Sequence, residues 1–91
     1  MPKAEISWKR STEEGEKLQV YAHRFGGRWI FYSRHRRFDR WEAQADPPLE
    51  DWLELLEAIQ RLVPRRRQPP DEIDRVKQAI RERFPDVTFD S

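Results

Sequence analysis

Tyr21 and Tyr32, with His23, Arg28, Arg34 and Arg36 between and beside them, are the residues of this chain whose types and spacing suggest binding chemistry. Tyrosine rings offer flat faces on which unpaired bases stack, and arginine forks meet phosphates or carboxylates through paired N–H donors. The same two residue types are enriched at the centres of protein interfaces. With Ile30 they make an aromatic, basic set that fits a protein partner first and a single-stranded nucleic acid second.

Other chemistry finds little support. His23 and His35 are the only histidines, and in the strand register derived below they point to opposite sides of one hairpin, so they cannot share a substrate as acid and base. Their spacing matches no metal motif, and without cysteine there is no thiolate site, disulfide framework or cysteine nucleophile. Glu50, Glu54 and Glu57 read as a solvated helix face rather than a carboxylate site. Gly26-Gly27 lacks the spacing of a phosphate loop, and no G-x-S-x-G element is present. The expectation is a non-enzymatic protein without a cofactor or metal.

The element that must position the aromatic set is Lys17 to Arg36, KLQVYAHRFGGRWIFYSRHR. Two runs rich in β-branched and aromatic residues flank a glycine pair, and a two-residue type I′ turn needs positive φ at both central positions. A turn there pairs Phe25 with Arg28 on the second of two faces, and hence Arg24 with Trp29, Ala22 with Phe31, Val20 with Ser33 and Leu18 with His35 on the first. The second face pairs His23 with Ile30, Tyr21 with Tyr32, Gln19 with Arg34 and Lys17 with Arg36. Leu18, Val20, Ala22, Trp29 and Phe31 make the first face the core side. The tyrosines, Ile30 and the cations are then left outward, and a one-residue slip would exchange the faces.

Upstream, Ala4 to Arg10 alternates Ile6 and Trp8 with polar residues, the period of a half-buried strand. Ser11 and Glu14 have capping-box spacing, but Gly15 and the missing apolar period make STEEGEK a strand connection. After the hairpin, RRFDRWEAQ is either a fourth, edge strand or an irregular segment that lets Trp41 cover one end of the core. Pro47 and Pro48 end the sheet part, and Asp46 and Pro48 suit a helix opening.

A helix is predicted over about Pro48 to Val63. Leu49, Trp52, Leu53, Leu55, Leu56, Ile59, Leu62 and Val63 fill one half of its wheel, and Glu50, Asp51, Glu54, Glu57 and Arg61 the other. Pro64 to Pro70 is a short connector carrying Arg65, Arg66 and Arg67, charges that suit a helix C-terminus. A second helix runs from about Pro70 to Phe84. It has Asp71, Glu72 and Asp74 at its start, Arg81 and Arg83 at its end, and a narrow apolar stripe of Ile73, Val76, Ile80 and Phe84. In the tail, Val87 and Phe89 alternate as if to pair weakly with the sheet.

These elements predict one α+β domain over residues 1–91, with a sheet part at about 4–44, a helical hairpin at about 47–84 and a tail at 85–91. The expected architecture is an antiparallel sheet of three or four strands with two antiparallel helices packed on one face. A chain of 91 residues has a small core, so a dimer or a bound partner is a natural source of further stability. Charge comes in blocks: residues 17–40 carry seven Lys or Arg against Asp39, residues 41–60 carry six acids and no base, and residues 61–67 carry four arginines. Such segregation fits surfaces that complement each other within one chain or across a dimer, and less well an anion-binding face. A pI near 8.1 is low for a nucleic-acid domain. No uncharged run approaches the ~20 residues of a membrane span, and the absence of an apolar leader and of cysteine points to the cytoplasm.

Overall fold

In the computed structural model, which describes residues 5–35, 39–65 and 68–89, the chain is an α+β fold of four strands followed by two helices. Arg36, Phe38, Arg66, Arg67 and the first expected strand residue, Ala4, lie outside the described residues. The chain divides into two compact units, residues 1–47 and 48–91, and the division falls between the two adjacent prolines.

The first unit is an antiparallel meander. Strands β1 (Glu5–Ser11), β2 (Lys17–Phe25), β3 (Arg28–Arg34) and β4 (Glu42–Ala43) lie side by side in chain order. Gly26 and Gly27 have φ of 58° and 77°, the pair of positive angles a type I′ turn requires. Phe25 therefore faces Arg28, and the ladder runs in step through Tyr21 with Tyr32 to Gln19 with Arg34. A side chain other than Gly, Asn or Asp at Gly26 forces a Cβ into the left-handed region, at about 1–2 kcal/mol. We expect Gly26→Val to lower stability by that amount in urea titration and Gly26→Asn to be close to neutral, since asparagine accepts this conformation.

The β1–β2 connection is a tight turn closed by Thr12. Its backbone N–H donates to the Glu16 carbonyl at 2.8 Å, its carbonyl accepts from Gly15 at 2.9 Å and its Oγ1 accepts from the Glu16 N–H at 3.2 Å. Gly15, at φ 84°, makes the turn possible. Ser11 belongs to β1, so no capping box forms.

Burial identifies the core side of the sheet. Ile6, Leu18, Val20, Ala22 and Phe31 are buried, and the Trp8 ring meets Phe31 edge-on at 6.0 Å from the neighbouring strand but one. All six belong to the face expected to pack on a core, because β1 joins in the register Ile6 with Ala22 and Trp8 with Val20. One expected pair does not form. His35 lies in a bend after β3 and does not pair with Leu18, since the ladder ends at Arg34, and the Lys17–Arg36 pair falls outside the described residues. β4 is only two residues long, pairing Ala43 with Tyr32 and Glu42 with Ser33, and the Gln44 N–H extends it by donating to the Phe31 carbonyl at 2.8 Å.

The second unit is a helical hairpin, α1 (Leu49–Leu62) and α2 (Asp71–Arg83). The Arg83 guanidinium, at the end of α2, lies 4.8 Å over the ring of Trp52 in the first turn of α1, so the helices run antiparallel. Asp46 makes no cap: the N-cap of α1 is Pro48, without a side-chain bond, and its carbonyl accepts from the Asp51 N–H at 3.0 Å.

The buried arc of α1 departs from the apolar half of its wheel. Asp51, Trp52, Leu55, Leu56, Ala58 and Ile59 are buried, while Leu53 is 40% exposed. The arc is thus turned by about 50° away from Leu53 and toward Asp51 and Ala58. Asp51 was expected on the wet side and is 0% exposed, and Glu72 in the first turn of α2 is 1% exposed beside Val76 and Ile80 at 0%. A buried carboxylate is tolerated best with partners; both residues have an interaction partner, while Glu72 Oε1 is buried without a hydrogen bond among the described residues. The described residues of the tail form no strand. Val87 donates to the Phe84 carbonyl at 3.0 Å, and the Phe89 ring lies 5.7 Å from Lys77 Nζ and 5.3 Å from the Arg81 guanidinium on α2.

Candidate functional site

Antiparallel pairing places residues in rows across the second face of the sheet. One row is Lys9, Gln19 and Arg34, the next is Ser7, Tyr21 and Tyr32, the next is Glu5, His23 and Ile30, and Phe25 with Arg28 closes the tip. The structure therefore brings Tyr21, His23, Arg28, Ile30, Tyr32 and Arg34 onto one side, as the glycine turn predicts.

At the centre the Tyr21 and Tyr32 rings stack, centroids 4.8 Å apart and 16° between planes. They sit opposite each other because their strands pair there, and direct cross-strand aromatic pairs support a sheet by about 0.2–1 kcal/mol. Both are half-buried, so each ring retains an outward aspect.

Trp41 completes the cluster. Its ring meets Tyr21 edge-on at 4.6 Å and 87°, and the Arg34 guanidinium lies 4.2 Å over its centroid. The segment before β4 thus folds over the second face and does not cap an end of the core, the placement expected for Trp41. Its sequence signal was faint, since only the path of an irregular segment decides which face a lone tryptophan reaches. Arg34 is held twice, by the indole and by a 2.7 Å bond from its Nε to Gln19 Oε1. That bond follows from the register, in which Gln19 and Arg34 are direct neighbours.

Because Arg34 occupies the Gln19 carbonyl oxygen, the Gln19 amide nitrogen is left as the polar group that can turn to a ligand. It borders an open cavity of about 380 Å³ whose walls include Ser7, Lys9 and Trp41. No acidic side chain lines the cavity among the described residues. Its chemistry is donors beside apolar walls of Trp41, Trp8 and Val20, suited to an acceptor-rich, negatively charged group next to an apolar one.

The face is not uniform along its length. Lys9 and Arg34 lie in one row near Trp41, Lys17 follows at the same end of the strands, and Phe25, 68% exposed, marks the hairpin tip.

The histidines do not converge. His23 is on the second face with its Nδ1 buried and without a hydrogen-bond partner among the described residues, while His35 is exposed beyond the end of β3. Among the described residues no group of three or more His, Asp or Glu is placed to hold a metal ion. Glu50, Glu54 and Glu57 are exposed on α1, and Glu57 pairs with Arg61 at 3.0 Å. That pair is open to solvent and contributes a few tenths of a kcal/mol, about 0.3–0.5. No helix among the described residues is long and apolar enough to cross a membrane. No protein-family model, curated protein or solved structure matches this chain.

Proposed function

We propose that this protein is a non-enzymatic binding module that presents the second face of its hairpin to a protein partner, a second copy of itself included, in the reducing setting that a cysteine-free sequence suits. One observation carries the reading. Phe25, at 68% exposure, and the half-buried Tyr21, Ile30 and Tyr32 share one face with the exposed cations Lys9, Lys17 and Arg28. An apolar and aromatic centre with a charged rim is the make-up of an interaction surface. Tyr21, Ile30, Tyr32 and Arg34 are the anchors, with Trp41 added to them.

A photo-reactive phenylalanine analogue at Phe25 in the living cell tests the reading. Cross-links to a defined protein are expected, and Tyr32→Ala is expected to reduce them about tenfold or more, the cost of losing one aromatic anchor. Cross-links that are indifferent to Tyr32→Ala would reject the face.

A second reading, single-stranded nucleic acid on the same face, draws on the stacked tyrosines among cations. Against it, Tyr21 and Tyr32 use one ring face on each other. Anisotropy of labelled RNA and DNA strands separates the two. Phosphate binding falls linearly in log salt and is lost in Arg34→Ala/Arg36→Ala, whereas a protein interface depends little on salt.

A further inference from the structure

The second compact unit carries a surface with the properties that the cavity beside Trp41 calls for. On α1, Glu50, Leu53, Glu54 and Glu57 are all exposed on one stripe, with Arg61 at its end. Leu53, 40% exposed, and Phe25 are the large apolar residues that stand out into solvent among the described residues. The stripe is therefore an apolar side chain set among carboxylates.

We infer that the receptor for this stripe is the Lys9, Lys17, Arg34 and Trp41 end of the sheet face in a second copy of the chain, each copy giving one surface and taking the other. The inference rests on the reading of the second face as a protein-binding surface and names its occupant. Three features support it. The signs are opposite: three carboxylates and one arginine on the stripe meet Lys9, Lys17 and Arg34. The spacings agree as well. Glu54 and Glu57 are three residues apart on a helix, about 5–6 Å between Cβ atoms, and Lys9 and Lys17 lie one strand and two residues apart, about 8 Å, within reach of flexible lysine stems. Finally, the chemistry matches: Leu53 has the Trp41 wall of the cavity to cover, and the glutamates have the Lys9 ammonium and the Gln19 amide as donors.

Charge exchange tests the pairing. Lys9→Glu/Lys17→Glu makes the sheet face acidic, and Glu54→Lys/Glu57→Lys makes the helix stripe basic. All four positions are exposed, so the fold is expected to survive, and circular dichroism checks it. In sedimentation at about 50 mM salt, where exposed charges are weakly screened, the unmodified protein is expected at no less than twice the 11.1 kDa mass of one chain. Each double variant alone, now repelling itself, is expected to associate at least roughly tenfold more weakly. An equal mixture of the two should recover the association, because each variant then meets a surface of opposite sign.

An unmodified protein that stays a single chain at about 100 μM, where any association useful at ordinary affinity would show, overturns the inference. So does a mixture that fails to recover. The underlying reading fails separately. If association is lost in Glu54→Lys/Glu57→Lys but persists in Lys9→Glu/Lys17→Glu, the sheet face is not the receptor and both fall. If the protein is a single chain yet cross-links from Phe25 to another protein depend on Tyr32, only the choice of a second copy falls.

Discussion

Phe31→Ala is expected to remove about 3–5 kcal/mol of stability, a large share of the ~5–15 kcal/mol that holds a small protein folded. Phe31 is 1% exposed, and the edge of the Trp8 ring packs against it from β1. Truncation removes apolar area from the core side and leaves a cavity that the rigid meander around it cannot close, because Ala22 opposite is too small to fill it. Phe25→Ala is the matched control. The same residue type on the same hairpin, 68% exposed, is expected to change stability by no more than about 0.5 kcal/mol. Urea titration followed by circular dichroism reads both as shifts in midpoint at constant slope. A reversed order, with Phe25→Ala the costlier substitution, would mean that the faces of the hairpin are exchanged.

Leu55→Ala is expected to cost about 2–5 kcal/mol, and Leu53→Ala, two residues away on the same helix, less than about 0.5 kcal/mol. Leu55 is 0% exposed against 40% for Leu53. Alanine is the better helix former, so the exposed change carries no backbone penalty that could mask the contrast. The pair measures the turn of the buried arc directly. Similar losses from both would restore the apolar half-wheel as the true buried face and return Asp51 to solvent. A large loss from Leu55 alone would fix the arc on the side of Asp51 and Ala58.

The hairpin was legible in the sequence because a glycine pair between two β-rich runs admits one register, and that register decides the partner of every residue from Gln19 to Arg34. Six of the seven candidate site residues consequently share a face as expected, and Arg36 lies outside the described residues. Helix ends were legible to within one residue, since Pro48, Pro64, Pro70 and Pro85 punctuate them. A helical wheel sorts residues by type alone, however, and a partnered carboxylate looks the same in sequence as a solvated one. Asp51 was therefore placed outside, and Glu72 was read only as a charge suited to a helix start, although both are among the most buried side chains. Trp41 was misplaced for a different reason: an irregular segment has no period, so nothing local says that its indole turns back to Tyr21 and Arg34. Phe89 illustrates the same limit, because alternation over three residues fits a strand as well as a tail lying on Lys77 and Arg81.

The four-stranded order has a further consequence for how this protein behaves when crowded. A meander of β1-β2-β3-β4 leaves the seven residues of β1 with a strand on one side only among the described residues. A row of unmatched backbone donors and acceptors is a template on which other extended chains can grow into fibrils. Lys9 and Arg10 stand in the second half of β1, and an arriving extended chain would have to strip water from both charges. The two cations thus act as gatekeepers of solubility at this strand.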